Sequence, residues 1–492
     1  MAAVLAIDAG TTGVTALVVS ADGRVVAKGY AELPQHFPQP GWVEHDPEQI
    51  WAGVLDATRT ALATSPEPPT AIGITNQRET AVLWDRQTLG SPRRAVVWQD
   101  RRTAALCEEL KAAGHEPRVA ELTGLRLDPY FTGTKLRWLA EHDANAWRGV
   151  TAGTTAVGTV DSYVIARLSG GRATVTDASN ASRTLLFDIT TGAWSPELCD
   201  LLSVPIGALP EIVDSSAHVA TTDPAAFLGL ELPIAGIAGD QQAALFGQTC
   251  YSPGESKCTY GTGSFVLVNT GSTIVRSDAG LLTTVAWRLG GETTYALEGA
   301  IFVTGAAVQW LRDGLGIIGS APEVEALAKT VPDSGGVVFV PALTGLGAPD
   351  WDPSARGTIA GITRGTTRAH IARATLEAIA FEVRDVVDVM TAEAGVALPA
   401  LVVDGGASAD DLLCQLQADQ LGVDVRRPVV QETTGLGAAF LAGLATGVWS
   451  SQEELRATWQ LDRAFSATPG ARDDGRHGRW RAAVERAKGW ER

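Results

Sequence analysis

Apolar residues along the chain fall into short runs that stop at glycine- and hydroxyl-rich turns, the pattern of strands feeding loops. Residues 4–7 form the first run, ending in the turn Asp8-Ala9-Gly10-Thr11-Thr12-Gly13. Residues 14–19 predict a second strand, and Ala21-Asp22-Gly23 carries hairpin chemistry into a third over 24–27. Asp46-Pro47 then opens a helix, an N-cap residue followed by proline at the first helical position, with Ile50, Trp51, Val54 and Leu55 as its apolar stripe. Residues 71–75 are a strand leading into Asn76-Gln77-Arg78-Glu79-Thr80, with another apolar strand over 81–84. Lys135, Leu136, Trp138 and Leu139 have helical spacing. The stretch 151–232 alternates strands, helices and turns and shows no nameable chemistry.

Past the middle of the chain the glycine pattern returns. A strand over 255–259, the turn Tyr260-Gly261-Thr262-Gly263 and a strand over 264–269 echo the first hairpin, as an internal duplication does. Residues 305–311 are helical. Gly314 to Gly319 literally fits GxGxxG, but it follows a helix and so lacks the dinucleotide-binding context. Ile371, Leu376, Ile379, Val383, Val386 and Met390 mark a long core helix, and 401–403 a buried strand running into Asp404-Gly405-Gly406-Ala407-Ser408. The helix predicted over 410–421 has a start suited to receiving a nucleotide.

Between the two halves lies GIAGDQQAALFG, residues 236–247. Asp240 is a single carboxylate among apolar neighbours there, costly unless it is bonded, paired or employed. It reads either as a helix N-cap or as a general base at the carboxyl end of a strand, where open α/β sheets place ligands. Arg78 and Glu79 are either a solvated loop pair or a donor–acceptor pair for a polyol. Trp98 and Tyr130 each stand beside a polar cluster and could wall a small pocket or simply pack a core. The loop at 8–13 offers backbone N–H groups and hydroxyls to a phosphate.

Composition narrows the partners. The 492 residues allow two to four domains with sizeable cores; 45% are hydrophobic and 19% charged, and the formal net charge is −17 with no basic block. That charge argues against nucleic acid or an anionic membrane as partner, while glycine-rich turns and a metal ion still allow a phosphate-bearing ligand. Five dispersed cysteines form neither a metal-binding spacing nor a disulfide framework, which implies a reducing, cytoplasmic setting. No apolar stretch is long enough to span a bilayer, and the N-terminus reads as a strand and not as a signal peptide. The sequon at Asn180-Ala181-Ser182 is then a chance match.

Taken together, IDAGTTG from Ile7, NQRET from Asn76, VVWQDRRT from Val96, DPYFTGTKLRWL from Asp128, GIAGDQQAALFGQ from Gly236, TYGTGSF from Thr259, LEGAIFVTGAAVQWL from Leu297 and VDGGASADDLL from Val403 resemble the FGGY carbohydrate kinases over nearly the whole chain. The resemblance implies an α/β fold of two duplicated, actin-like (ribonuclease-H-like) domains, 1–249 and 250–492, around an interdomain cleft. It implies ATP-dependent phosphorylation of glycerol to sn-glycerol 3-phosphate by in-line transfer, with another polyol or ketose as the nearer alternative. An ATP-driven binding or filament protein on the same fold is the more distant one, and it has no use for an Arg78-Glu79 pair beside Asp240. By the same resemblance Arg78, Glu79, Tyr130, Asp240 and Gln241 bind the acceptor hydroxyls, Trp98 and Phe265 pack on its carbons, and Asp240 is the base. Asp8 would hold Mg2+; Thr11, Thr12 and Thr262 would meet the phosphates; Gly305, Gln309, Gly406 and Asp410 would line the nucleotide pocket.

Two positions depart from the family pattern. Thr15 stands where an arginine is common, and Asp410 where an asparagine commonly lies beside the adenine. The loop at 223–233, DPAAFLGLELP, has no Lys or Arg where some bacterial relatives bind fructose 1,6-bisphosphate, so no such regulation is expected. Its Phe227, Leu228 and Leu230 suggest packing on a neighbouring surface, in line with a homo-oligomer (dimer or tetramer).

Overall fold

Two mixed sheets with the same internal layout carry the chain, whose computed structural model describes residues 2–491. In the first, Ala3–Ala9, Gly13–Ser20 and Val25–Glu32 form an antiparallel meander. Pro69–Asn76 and then Pro233–Gly239 add to it in parallel, and Ser216–Thr221 closes the edge. In the second, Ser256–Tyr260, Ser264–Gly271 and Glu292–Ile301 repeat the meander, and Leu401–Asp404 and Val425–Pro428 repeat the parallel additions. Leu282–Leu289 and Leu461–Phe465 extend its two edges. The duplication expected from the two glycine turns is therefore a duplication of whole sheets. The third strand runs on to Glu32, well past the short segment the hairpin chemistry marked.

Parallel strands buried on both faces read as near-continuous apolar runs, as Pro233–Gly239 does. The smallness of residues 236–247 has a specific cause. Helix Thr433–Thr446, TTGLGAAFLAGLAT, lies directly on the first sheet and on helix Asp240–Gly247. A Cβ on Gly437 would fall 1.8 Å from the Ala243 carbonyl oxygen, and one on Gly236 2.5 Å from the Ala442 nitrogen. Only glycine allows backbones that near. A helix close to the C-terminus thus completes the core of the first sheet, with Ala235, Ala238, Phe246, Ala438, Ala439 and Phe440 in one cluster.

Helix Pro47–Thr64 forms as its sequence indicates: the Asp46 carboxylate accepts from the Glu48 N–H at 2.9 Å. The loop at 223–233 differs from expectation. Phe227 is fully buried in the first core and Leu230 packs against the same cluster. Phe227 and Leu230 therefore serve their own domain and not a neighbouring surface. Among the described residues no helix is long and apolar enough to cross a membrane.

Candidate active site

Ala9, Asn76 and Gly239 end three neighbouring strands of the first sheet, with Asp8 one residue before the first of these ends, and Tyr260 and Asp404 end two of the second. Arg78 and Glu79, Asp240, Thr11 and Thr12, Thr262 and Gly406 follow directly on these carboxyl ends.

Asp240 is not a helix cap. Gly239 occupies the cap of helix Asp240–Gly247, and Asp240 is its first residue, accepting from the Gln241 N–H at 2.7 Å. Arg78 Nε lies 3.0 Å from Asp240 Oδ1. Burial raises the Asp240 carboxyl above its ordinary range, against the pull of Arg78 and Lys257. The ground for a cap is gone; a half-buried, arginine-paired carboxylate at a strand end remains.

Arg78 and Glu79 are no solvated pair either: both are buried. The chain turns sharply here, with the Thr80 N–H donating back to the Arg78 carbonyl at 2.8 Å and Glu79 at φ 61°. A bulky residue held in the left-handed region is a strained feature that its surroundings must enforce. Thr132 helps by donating to the Glu79 carbonyl at 3.1 Å. Tyr130 Oη accepts from Arg78 Nη2 at 3.3 Å, and its ring meets the Trp98 ring edge-on with centroids 5.7 Å apart. Phe265, from the second sheet, stands with its ring 5.8 Å from the Arg78 guanidinium carbon. Gln241 accepts from the buried Lys257, whose Nζ also donates to Thr259 Oγ1 at 2.8 Å. All seven residues expected around the acceptor are thus brought to one place.

The two turns form beside it. Gly10 N–H bonds the Gly13 carbonyl at 3.0 Å and Gly261 N–H the Gly263 carbonyl at 2.9 Å. Thr12 and Thr262 occupy the same position in each, exposed and followed by a buried glycine. Asp8 precedes the first turn. Its Oδ1 is buried without a hydrogen-bond partner, and burial together with the nearby Asp240 pushes its pKa up to about 7. Thr15 lies directly across from Asp8 in the antiparallel pair.

Gly305 opens helix Gly305–Asp313 against the second turn, its N–H donating to the Gly261 carbonyl at 3.0 Å. Gln309 is exposed one helical turn further on. Gly405 packs on Tyr260, bringing the exposed Gly406 to the same rim. Asp410 caps helix Asp411–Leu421 through Oδ1, 2.9 Å from the Leu413 nitrogen, while its Oδ2 is buried and unpartnered. Burial, reinforced by Glu325, pushes its pKa up to about 6.

Sequence reasoning passed over three charged residues here: Arg183, Lys257 and Glu298, all fully buried. Glu298 carried the signal that singled out Asp240, an acid inside an apolar run. Arg183 lay in the stretch that showed no nameable chemistry.

Residues 3–247 match the N-terminal domain of the FGGY family of carbohydrate kinases and residues 256–446 its C-terminal domain. The chain is 55% identical over 493 residues to a glycerol kinase of Dechloromonas aromatica, covering 99% of this chain and 98% of that protein. It is 56% identical over 494 residues to a glycerol kinase of Trichlorobacter lovleyi, covering 100% and 99%. Among solved structures it matches Plasmodium falciparum glycerol kinase with ADP at a TM-score of 0.90 and 34% identity, covering 99% of this chain and 98% of that one.

Proposed function

The chain belongs to the FGGY family of carbohydrate kinases, and we propose that it transfers the γ-phosphoryl group of ATP to a terminal hydroxyl of glycerol, yielding sn-glycerol 3-phosphate and ADP. The observation that carries the mechanism is Asp240: a half-buried carboxylate at the carboxyl end of a strand, 3.0 Å from Arg78 Nε and with part of its side chain open to solvent. Its raised proton affinity suits a base that must accept a proton from an alcohol.

In the reaction Asp240 takes the hydroxyl proton as the oxygen attacks the γ-phosphorus, the new O–P bond forms, and the bond to the β-phosphate oxygen breaks in line. Arg78 keeps the base oriented. Glu79, Tyr130 and Gln241 supply the acceptors and donors that fix the hydroxyls, and Trp98 and Phe265 exclude water along the carbons. A site that hydrogen-bonds each hydroxyl rejects molecules lacking one, because its own buried groups are then left unpaired. Thr11, Thr12 and Thr262 offer hydroxyl and backbone donors to the phosphates; Gly305, Gln309, Gly406 and Asp410 receive the nucleoside.

Asp8 fits a magnesium ion, since Oδ1 is buried and lacks any partner. The ion would be held by the Asp8 carboxylate together with phosphate oxygens and water. Bound with the nucleotide, Mg2+ supplies charge neutralisation at the phosphates.

The test is ADP release measured with magnesium-ATP and a panel of glycerol, dihydroxyacetone, xylulose and gluconate. Glycerol should give the highest kcat/KM. A ketose or sugar acid that outperforms it would overturn the substrate reading and leave the reaction class intact.

A further inference from the structure

Glu298 lies on strand Glu292–Ile301, next to an edge strand of the second sheet, yet among the described residues its side-chain hydrogen-bond partners, Arg78 and Arg183, come from the first domain. Its carboxylate grips Arg78 in a fork, Oε2 to Nη1 at 2.5 Å and Oε1 to Nη2 at 3.2 Å. Oε1 also accepts from Arg183 Nη2 at 2.9 Å, and Arg183 Nε in turn donates to Glu79 Oε1 at 2.7 Å. Glu298 and Arg183 have no exposed surface.

The donor inventory shows what this fork does. Arg78 Nη1 also meets Gln242 Oε1 at 3.2 Å and Nη2 the Tyr130 hydroxyl at 3.3 Å, so its four terminal hydrogens face four acceptor contacts. The guanidinium cannot rotate, and its remaining edge, Nε, is left facing Asp240. Arg183 is held by its two carboxylate bonds and by two rings, its guanidinium carbon lying 5.6 Å from the Tyr130 ring centre and 5.3 Å from that of Phe131. Buried ions of this kind are costly to maintain, and removing one partner leaves the others uncompensated.

We propose that Glu298, acting with Arg183, is the positioning residue of the acceptor site. One carboxylate of the second domain sets Arg78 against the base directly and sets Glu79 through Arg183. The acceptor site is therefore complete only when the two sheets are docked as they are here, which ties acceptor binding to domain docking. This rests on the reading of Glu79 as an acceptor ligand and of Arg78 as the group that orients the base.

The test is steady-state kinetics on Glu298→Gln and Arg183→Lys in the full chain. Each should raise the KM for glycerol by about tenfold or more, the scale of one misplaced charged hydrogen bond, while the KM for ATP stays within about twofold. The double variant should be little worse than either single one, because both break the same chain of contacts. Should Glu298→Gln not fold, Glu298→Asp keeps the charge, shortens the reach, and should show the same split. Equal changes in both KM values, or no change in either, would overturn the proposal. Failure of the function reading looks different: the unmutated protein itself would then show no glycerol-dependent ADP release.

Discussion

Trp98 Nε1 donates a 2.9 Å hydrogen bond to Thr11 Oγ1, joining the expected wall of the acceptor pocket to the first glycine turn. An indole N–H can only donate, so the threonine oxygen must accept and its own hydrogen is turned elsewhere. On the proposed reading, a Thr11 hydroxyl fixed in this way would be a pre-oriented donor for a phosphate. Trp98→Phe keeps an aromatic wall and loses the bond. It should lower kcat/KM for ATP by about three- to tenfold, the worth of one net hydrogen bond, with a smaller effect on the KM for glycerol. Unchanged ATP kinetics would show that the turn orients itself.

Asp240→Asn should retain binding of both substrates by calorimetry and lose kcat by roughly two to four decades, the usual range for removing a general base. In the unmutated protein the base must be ionised, so kcat falls as the pH drops through its pKa. Burial raises that pKa, which sets the acid limb above the ordinary aspartate value of about 3.9. A pH–rate profile flat down to that value would assign the base elsewhere.

Gly437 faces the Ala243 carbonyl so closely that any Cβ collides with backbone. Gly437→Val should cost roughly 3 kcal/mol or more, at the upper end for overpacking, because the clash is with main chain and no side chain can move aside. Thermal denaturation followed by circular dichroism reads this as a fall of several degrees in Tm. An unmoved midpoint would mean that helix Thr433–Thr446 can lift off the first sheet at little cost.

Millimolar fructose 1,6-bisphosphate should leave the activity unchanged. The loop at 223–233 has no cation and carries Asp223 and Glu231; Phe227 anchors it inward, and Asp223 Oδ1 is occupied by the Ala225 N–H at 2.9 Å. A bisphosphate there would meet like charge with nothing to offset it. Inhibition that Asp223→Lys strengthens would show that the loop does receive such a ligand.

Much of this protein is local. Alternation and short apolar runs marked the strands of both meanders, because side-chain periodicity is a property of adjacent residues. The two glycine turns announced the duplication, since a tight turn demands its residues wherever it occurs. Asp240 was legible as a carboxylate with no local reason to be where it is, though its neighbours alone left cap and base open. What the sequence did not disclose depends on pairs far apart in the chain. Arg78 and Glu298 are 220 positions apart, and Arg183 and Glu298 115, so no periodicity links them. Whether Arg78 is solvated or clamped, whether Phe227 faces in or out, and which sheet helix Thr433–Thr446 covers are settled only when the two sheets dock. Docking removes water from these groups, and in that dry interior an unpaired charge or an exposed apolar face becomes expensive enough to select one arrangement.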